Sequence, residues 1–288
     1  MTVDVRPYRP DDADAAMAAI RASTPLTMVT PASLALESSD GRLLVATLDG
    51  GVAGVAGVRS SGDGVWTMIR VTPHARRRGL GGALLAAVEA WAAGAVVRTM
   101  VVDEPPSLAF AERRGYVRQR SVALRSLDLP PFAVPLPAPA PGVELRPGRD
   151  FPDPRPVYAI ETEAAPDIPG HEPGDDDYDT WLSRTWNAPT ADPDLTMVAV
   201  VDGEPAAYTV ALSDGVECYW SAMTGTRRAY RGRGLATLVK VASLHRARSA
   251  GLTVAVTGND DENAPMIAVN ERLGYRRAAT WWRYDKRP

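Results

Sequence analysis

Two short segments of this chain carry residue types at a spacing suited to gripping a phosphate. One reads Arg76-Arg77-Arg78-Gly79-Leu80-Gly81-Gly82, the other Arg231-Gly232-Arg233-Gly234-Leu235-Ala236-Thr237. An arginine-glycine turn between a strand and a helix gathers several backbone N–H groups, and the helix dipole adds partial positive charge. Glycine lets a bulky pyrophosphate approach the main chain, and arginine forks add charge-assisted hydrogen bonds. A P-loop would need Gly-Lys-Ser/Thr, which neither segment has. The dinucleotide fingerprint needs a small residue where these segments place Leu84 and Thr237. What fits both is Arg-x-x-Gly-x-Gly/Ala, with Arg76, Gly79 and Gly81 in one and Arg231, Gly234 and Ala236 in the other. A basic run can also be a solvated turn or a nucleic-acid contact. The formal net charge of −3 and the lack of an aromatic platform nearby argue against nucleic acid.

Other chemistry-bearing residues cluster in the C-terminal half. Thr257, Asn259, Asn263 and Asn270 follow its last parallel strand, where the N-terminal half has Glu104-Pro105-Pro106. Asn263 is also placed to cap the helix that starts beside it. Glu217 stands at the start of the strand leading to the second loop, with Tyr219 two residues on. A solvent-facing strand glutamate is the plain reading of Glu217. His245 falls within a long helix and reads as structural, and His171 sits in a loop where it could act through water. The segment from Asp167 to Asp179 is acidic, with Asp175, Asp176 and Tyr178 followed by Trp181 and Trp186. Carboxylates there would favour a cationic amine, and the aromatics could stack on a ring or an ammonium group. The alternative is an acidic surface loop whose tryptophans pack a short amphipathic helix.

The elements that must hold these residues occur twice. Val3–Pro7 matches residues 143–147 at an offset of 140, Arg76 matches Arg231 at 155, and Gly115-Tyr116 matches Gly274-Tyr275 at 159. A period this long excludes a solenoid and indicates a duplicated domain. Each copy predicts a strand (3–8; 143–147), a helix (11–22; 154–164) and a second helical segment (31–39; 176–187). A hairpin follows in each (42–59 through Gly50-Gly51; 195–212 through Asp202-Gly203), since these dipeptides suit turns needing positive φ. Then come a strand (64–71; 216–226), the arginine-glycine loop, a long helix (80–93; 235–250), a buried strand (95–102; 252–257), a short helix (107–114; 263–273) and a closing strand. Residues 129–142 hold six prolines and read as a semi-rigid linker. The expected domains are therefore 1–128 and 143–288, each α+β with a mixed sheet.

On these motifs the chain resembles the GCN5-related N-acetyltransferase (GNAT) family, present twice. Val71-Thr72-Pro73 before the first loop matches the family's Val-x-Pro, with Thr226 and Arg228 in its place before the second. The tandem arrangement is similar to that of the mycothiol synthases, whose C-terminal half is the active one. The resemblance implies two acyl-CoA N-acyltransferase folds with acetyl-CoA as co-substrate and no metal. It implies that pantetheine lies along Ile69 and Val71, or along Thr224 and Thr226, with Asn263 directed at it. The pyrophosphate would lie on Arg76 to Gly82 and Arg231 to Thr237. Many family members protonate the leaving thiolate from a tyrosine four residues before the closing glycine. Here those positions are Ala111 and Asn270. The resemblance therefore assigns catalysis to the C-terminal copy, with Glu217, Tyr219, Asn263 and Asn270 as candidates. Asp175, Asp176, Tyr178 and Trp181 would wall the acceptor. The expected reaction is acetyl transfer to a primary amine, and the alternative is a silent acyl-CoA-binding module.

Composition narrows the rest. At roughly 150 residues per domain, 288 residues make two. Lone Cys218 excludes a disulfide framework. Charged residues at the N-terminus and the short apolar run 83–97, interrupted by Glu89, favour a cytoplasmic protein with no membrane partner. The expected partners are a small-molecule amine and acetyl-CoA, and the expected state is monomer or homodimer.

Overall fold

A computed structural model of the chain describes residues 2–24, 26–40, 42–171 and 177–288. It divides into two compact units: Met1–Ser121 with Trp281–Pro288, and Val122–Thr280.

The first unit runs β1 (Val3–Pro7), α1 (Ala13–Ser23), α2 (Pro31–Asp40), β2 (Arg42–Leu48), β3 (Gly51–Ser61), β4 (Gly64–Val71), α3 (Leu80–Ala92), β5 (Val96–Val102) and α4 (Pro105–Glu112). β1 to β4 form an antiparallel meander, and β5 lies parallel to β4. Leu80, Leu84, Leu85 and Val88 of α3 pack on Ala56, Val58, Val65 and Val97 of the sheet. α4 starts two residues earlier than the pattern predicted, because Pro105 and Pro106 fill first-turn positions that need no N–H donor.

β6 (Val117–Asp128) begins in the first unit and completes the second. The second unit continues with β7 (Val143–Pro147), α5 (Arg155–Ala164), α6 (Tyr178–Trp181), β8 (Met197–Val201), β9 (Glu204–Ser213), β10 (Cys218–Thr226), α7 (Leu235–Ser249), β11 (Val254–Asp260) and α8 (Ala264–Arg272), and β12 (Arg276–Lys286) leads from it back into the first unit. β7 to β10 are antiparallel and β11 is parallel to β10. In place of one helix over 176–187, α6 is followed by a π-helical turn, Leu182–Trp186.

The closing strands differ from the expected division at 128 and 143. Val122 to Asp128 ladder with Asp260 to Val254 of β11, and Trp281 to Lys286 ladder with Val102 to Val97 of β5. Each unit is thus closed by the strand that follows the other unit's short helix. The proline-rich stretch also differs from a plain linker. Leu129 and Phe132 are buried in the second unit's core, and the Leu129 N–H bonds Thr253 O at 2.8 Å. Their apolar side chains outweigh the extended preference of the surrounding prolines.

Candidate active site

The two units repeat one geometry. In the first, β4 and β5 pair from Gly64–Val96 to Thr67–Thr99, and in the second β10 and β11 pair from Cys218–Val254 to Ser221–Thr257. Beyond these pairs the parallel strands part toward the arginine-glycine loops. Gly79 and Gly234 take the N-cap positions of α3 and α7 with φ of +92° and +74°, and neither helix start is capped by a side chain. The N–H groups of Leu80, Gly81 and Gly82, and of Leu235, Ala236 and Thr237, precede the first intrahelical bonds, made by Ala83 and Leu238. Such unpaired donors bind anions. A Cβ at Gly79, Gly232 or Gly234 would point into open space, so room remains over each cradle. In both, a carboxylate holds the leading arginine: Arg76 meets Glu104 at 3.1 Å and Arg231 meets Asp167 at 2.6 Å. The Arg231 and Arg228 guanidiniums hold the Asp167 carboxyl below its usual range.

The units differ at the strand before the loop. β4 runs against β3 in unbroken register from Ser61–Gly64 to Gly54–Val71. β10 instead bulges against β9 between Ser221 and Thr224, so Ala222 and Met223 stand out of the ladder. A buried polar group surrounds the bulge. Thr257 Oγ1 donates to Ser221 O at 3.0 Å, Thr209 and Thr224 hydroxyls lie 2.8 Å apart, and Lys240 Nζ donates to Ser221 Oγ at 2.6 Å. Lys240 is 2% exposed, and burial pushes its pKa down to about 7. Asn270 Nδ2 donates to Asn259 Oδ1 at 2.6 Å. Buried Asn270 Oδ1 and Thr226 Oγ1 have no partner among the described residues.

The Acetyltransferase (GNAT) family description matches residues 9–116 and 156–275. The chain belongs to the GNAT acetyltransferases. It is 32% identical over 292 residues to a mycothiol acetyltransferase of Kineococcus radiotolerans, covering 95% of this chain and 91% of that one. A mycothiol acetyltransferase of Thermomonospora curvata is 28% identical over 279 residues, covering 89% and 86%. Among solved structures, a tandem GNAT protein from the clavulanic acid biosynthesis pathway superposes with a TM-score of 0.77 at 23% identity, covering 99% of this chain and 98% of that one. A GCN5-related N-acetyltransferase from Sphaerobacter thermophilus gives 0.74 at 23% identity, with 99% and 96% covered. The fold is the acyl-CoA N-acyltransferase fold, used twice.

With the GNAT frame in hand, the expected site residues fall into three groups. Of the residues expected to hold the cofactor, Ile69, Val71, Arg76, Gly79 and Gly81 line one cavity of the first unit, and in the second unit Thr224 and Thr226 lie on β10 while Leu235, Ala236 and Thr237 open α7. Asn263 caps α8, its Oδ1 accepting from Met266 N at 3.3 Å. Asn270 is fully buried beside Asn259.

The catalytic candidates on β10 fare differently. Glu217 is exposed in the turn before the strand, at the end opposite the loop, because the Asp214 side chain accepts from the N–H groups of residues 216 to 218. Tyr219 is buried, bonds Ser243 at 2.7 Å, and has its pKa pushed up to about 12 by burial. His245 bonds Val134 O at 2.8 Å, as a structural histidine would.

Of the acceptor wall, Asp175 and Asp176 lie outside the described residues. Trp181 is 4% exposed, packed with Tyr158 at 5.1 Å and Trp186 at 5.5 Å, and Tyr178 is half-buried beside Tyr158. Sequence reasoning missed Glu161, which accepts the Tyr208 hydroxyl proton in a short hydrogen bond. It also missed the packing of Ala222 and Met223 against Val157, Ile160 and Tyr208 on that face. Glu161 sits four residues after Val157 and one after Ile160 on α5, so its place beside the buried stripe was readable from helical spacing.

Proposed function

We propose that this GNAT acetyltransferase moves an acetyl group from acetyl-CoA to a primary amine of a small acceptor, and that the C-terminal unit performs the transfer. The bulge at Ala222–Met223 carries this reading. Acyl transfer needs a fixed donor where the carbonyl oxygen gains charge, and a bulge turns backbone N–H groups out of the ladder for that use. The unbroken β3–β4 ladder gives the N-terminal unit no equivalent. Acetyl-CoA supplies an activated thioester that the amine attacks directly.

The chain's own residues then divide the work. The α7 start with Arg231 and Arg233 holds the pyrophosphate. Glu161, oriented by Tyr208, is the carboxylate we assign to take the proton from the attacking amine. Asn270 offers an amide where many relatives have an acidic phenol, so its role is to orient rather than to protonate. The curated relatives act, by name, on mycothiol chemistry, and an amino-sugar or cysteinyl amine is the acceptor class this favours. Half-buried Tyr178 would border it, backed by Trp181.

CoA release measured against a panel of amines tests the reading, with Gly79→Glu and Gly234→Glu made separately. Turnover should fall by more than about tenfold in Gly234→Glu and stay near wild type in Gly79→Glu. The opposite pattern overturns the assignment, and acetyl-CoA binding without turnover on any amine overturns catalysis itself.

A further inference from the structure

The first unit holds a cavity of about 680 Å³ that runs from its arginine-glycine loop through the opening between β4 and β5. Its lining includes five arginines, residues 70, 76, 77, 113 and 114, and no aspartate or glutamate among the described residues. Four of the five come from the loop and the end of α4, where a pyrophosphate calls for them. Arg70 does not. It belongs to β4, and its side chain leaves the strand on the α1 face, where Nε donates to Thr24 Oγ1 at 2.6 Å. Its guanidinium lies 5.9 Å from the ring centroid of Trp281, which sits on β12 opposite Val102 of β5. Arg70 thus reaches across the gap between the parted strands.

Its other contact is weak: Nη2 to the Met68 sulfur at 3.5 Å. No carboxylate lies within ion-pair distance among the described residues, and Glu37 acts on it only through longer-range charge. Burial lowers its pKa to about 10, so it stays cationic at neutral pH. A half-buried guanidinium that faces a cavity, with its fork unmatched by any carboxylate among the described residues, is suited to receive an anion. A carboxylate matches that fork with two parallel hydrogen bonds, and Trp281 closes one side.

We propose that the N-terminal unit binds a CoA thioester whose acyl group ends in a carboxylate, held by Arg70 and Thr24. This site is separate from the C-terminal transfer site and stands whether or not that assignment holds. It makes the duplicated unit a receptor for dicarboxylic acyl-CoA, with selectivity set at the acyl end rather than at the shared nucleotide end.

Calorimetric titration of the full-length protein with succinyl-CoA and butyryl-CoA tests this. In wild type, one site should bind succinyl-CoA about ten- to a hundredfold more tightly than butyryl-CoA, the range expected for charged hydrogen bonds. Arg70→Met should abolish that preference and leave butyryl-CoA binding unchanged, which also reports that the unit is folded. Arg70→Lys, which keeps charge but loses the fork, should keep part of the preference. Equal affinities in wild type, or a preference that survives in Arg70→Met, overturn the proposal. Tight Arg70-dependent binding of free succinate without CoA would overturn the assignment of the carboxylate to an acyl group.

Discussion

Replacing Lys240 with methionine should change how stability depends on pH, and the size of the change follows from the burial of this side chain. The chain has 30 arginines and only two lysines, yet a lysine occupies this fully enclosed position. Its ammonium meets Ser221 Oγ and the face of Tyr275, with no carboxylate in contact among the described residues. Burial lowers its pKa from 10.5 to about 7. Below about pH 7 both folded and unfolded chains carry the proton, and the full penalty of burying charge applies. Between about 7 and 10.5 the unfolded chain holds a proton that the folded chain has shed, so stability rises with pH. At about 1.4 kcal/mol per pH unit, the penalty is about 5 kcal/mol at pH 6 and about 2 kcal/mol at pH 9. Methionine keeps the volume and has no charge to bury. The stability difference between Lys240→Met and wild type should therefore move by about 3 kcal/mol in favour of wild type from about pH 6 to 9. Tyr219 and Tyr275, pushed up by burial, stay protonated across that window. Urea unfolding of both proteins at several pH values measures it. A difference that stays constant within about 0.5 kcal/mol would refute the reasoning, since it would mean that Lys240 titrates alike folded and unfolded.

Two further outcomes follow from backbone and topology. Arg77 has φ of +63° at the position where the second loop has Gly232 at +75°. Arg77→Gly should relieve about 1 kcal/mol of left-handed strain and raise the thermal midpoint by a few degrees, while an unchanged or lower midpoint would count against strain there. Ending the chain after Thr280 removes the partner of Val97 to Val102, so the N-terminal unit should become protease-sensitive although the deletion is at the far end of the chain. Equal resistance of full-length and shortened N-terminal units would contradict the strand exchange.

Both arginine-glycine turns and the helix starts beside them were legible in the sequence because their signals are local. Arginine, glycine and the helix start lie within seven residues, and glycine marks the positive φ on which each loop turns. The strand exchange was not legible. Residues 117–128 and 276–286 follow equivalent short helices and look alike as closing strands, and nothing nearby says which parallel strand each will join. That choice depends on pairings more than a hundred residues apart, such as Val254 with Asp128. The bulge was hidden for a similar reason. Ala222 and Met223 include neither glycine nor proline, and the irregularity appears only when Ser221 and Thr224 are aligned to Ala211 and Thr209. Glu217 misled because a strand read from 216 made its side chain a strand residue, whereas the Asp214 turn holds it outside β10.

The two copies share one set of features and part at another. Both units keep an uncapped helix start, a left-handed glycine and a carboxylate-held arginine, so gripping pyrophosphate cannot be what distinguishes them. They part at the strand beside the acyl end. The second unit has a bulge backed by Ser221, Lys240 and Thr257. The first has an unbroken strand and places Arg70 across the gap. A displaced backbone N–H stabilises charge that develops on an oxygen during reaction, and so lowers a barrier. A guanidinium facing a cavity stabilises charge that the ligand already carries, and so increases residence without favouring any chemical step. By that distinction the bulge suits the turnover we propose for the second copy, and Arg70 suits the recognition we propose for the first.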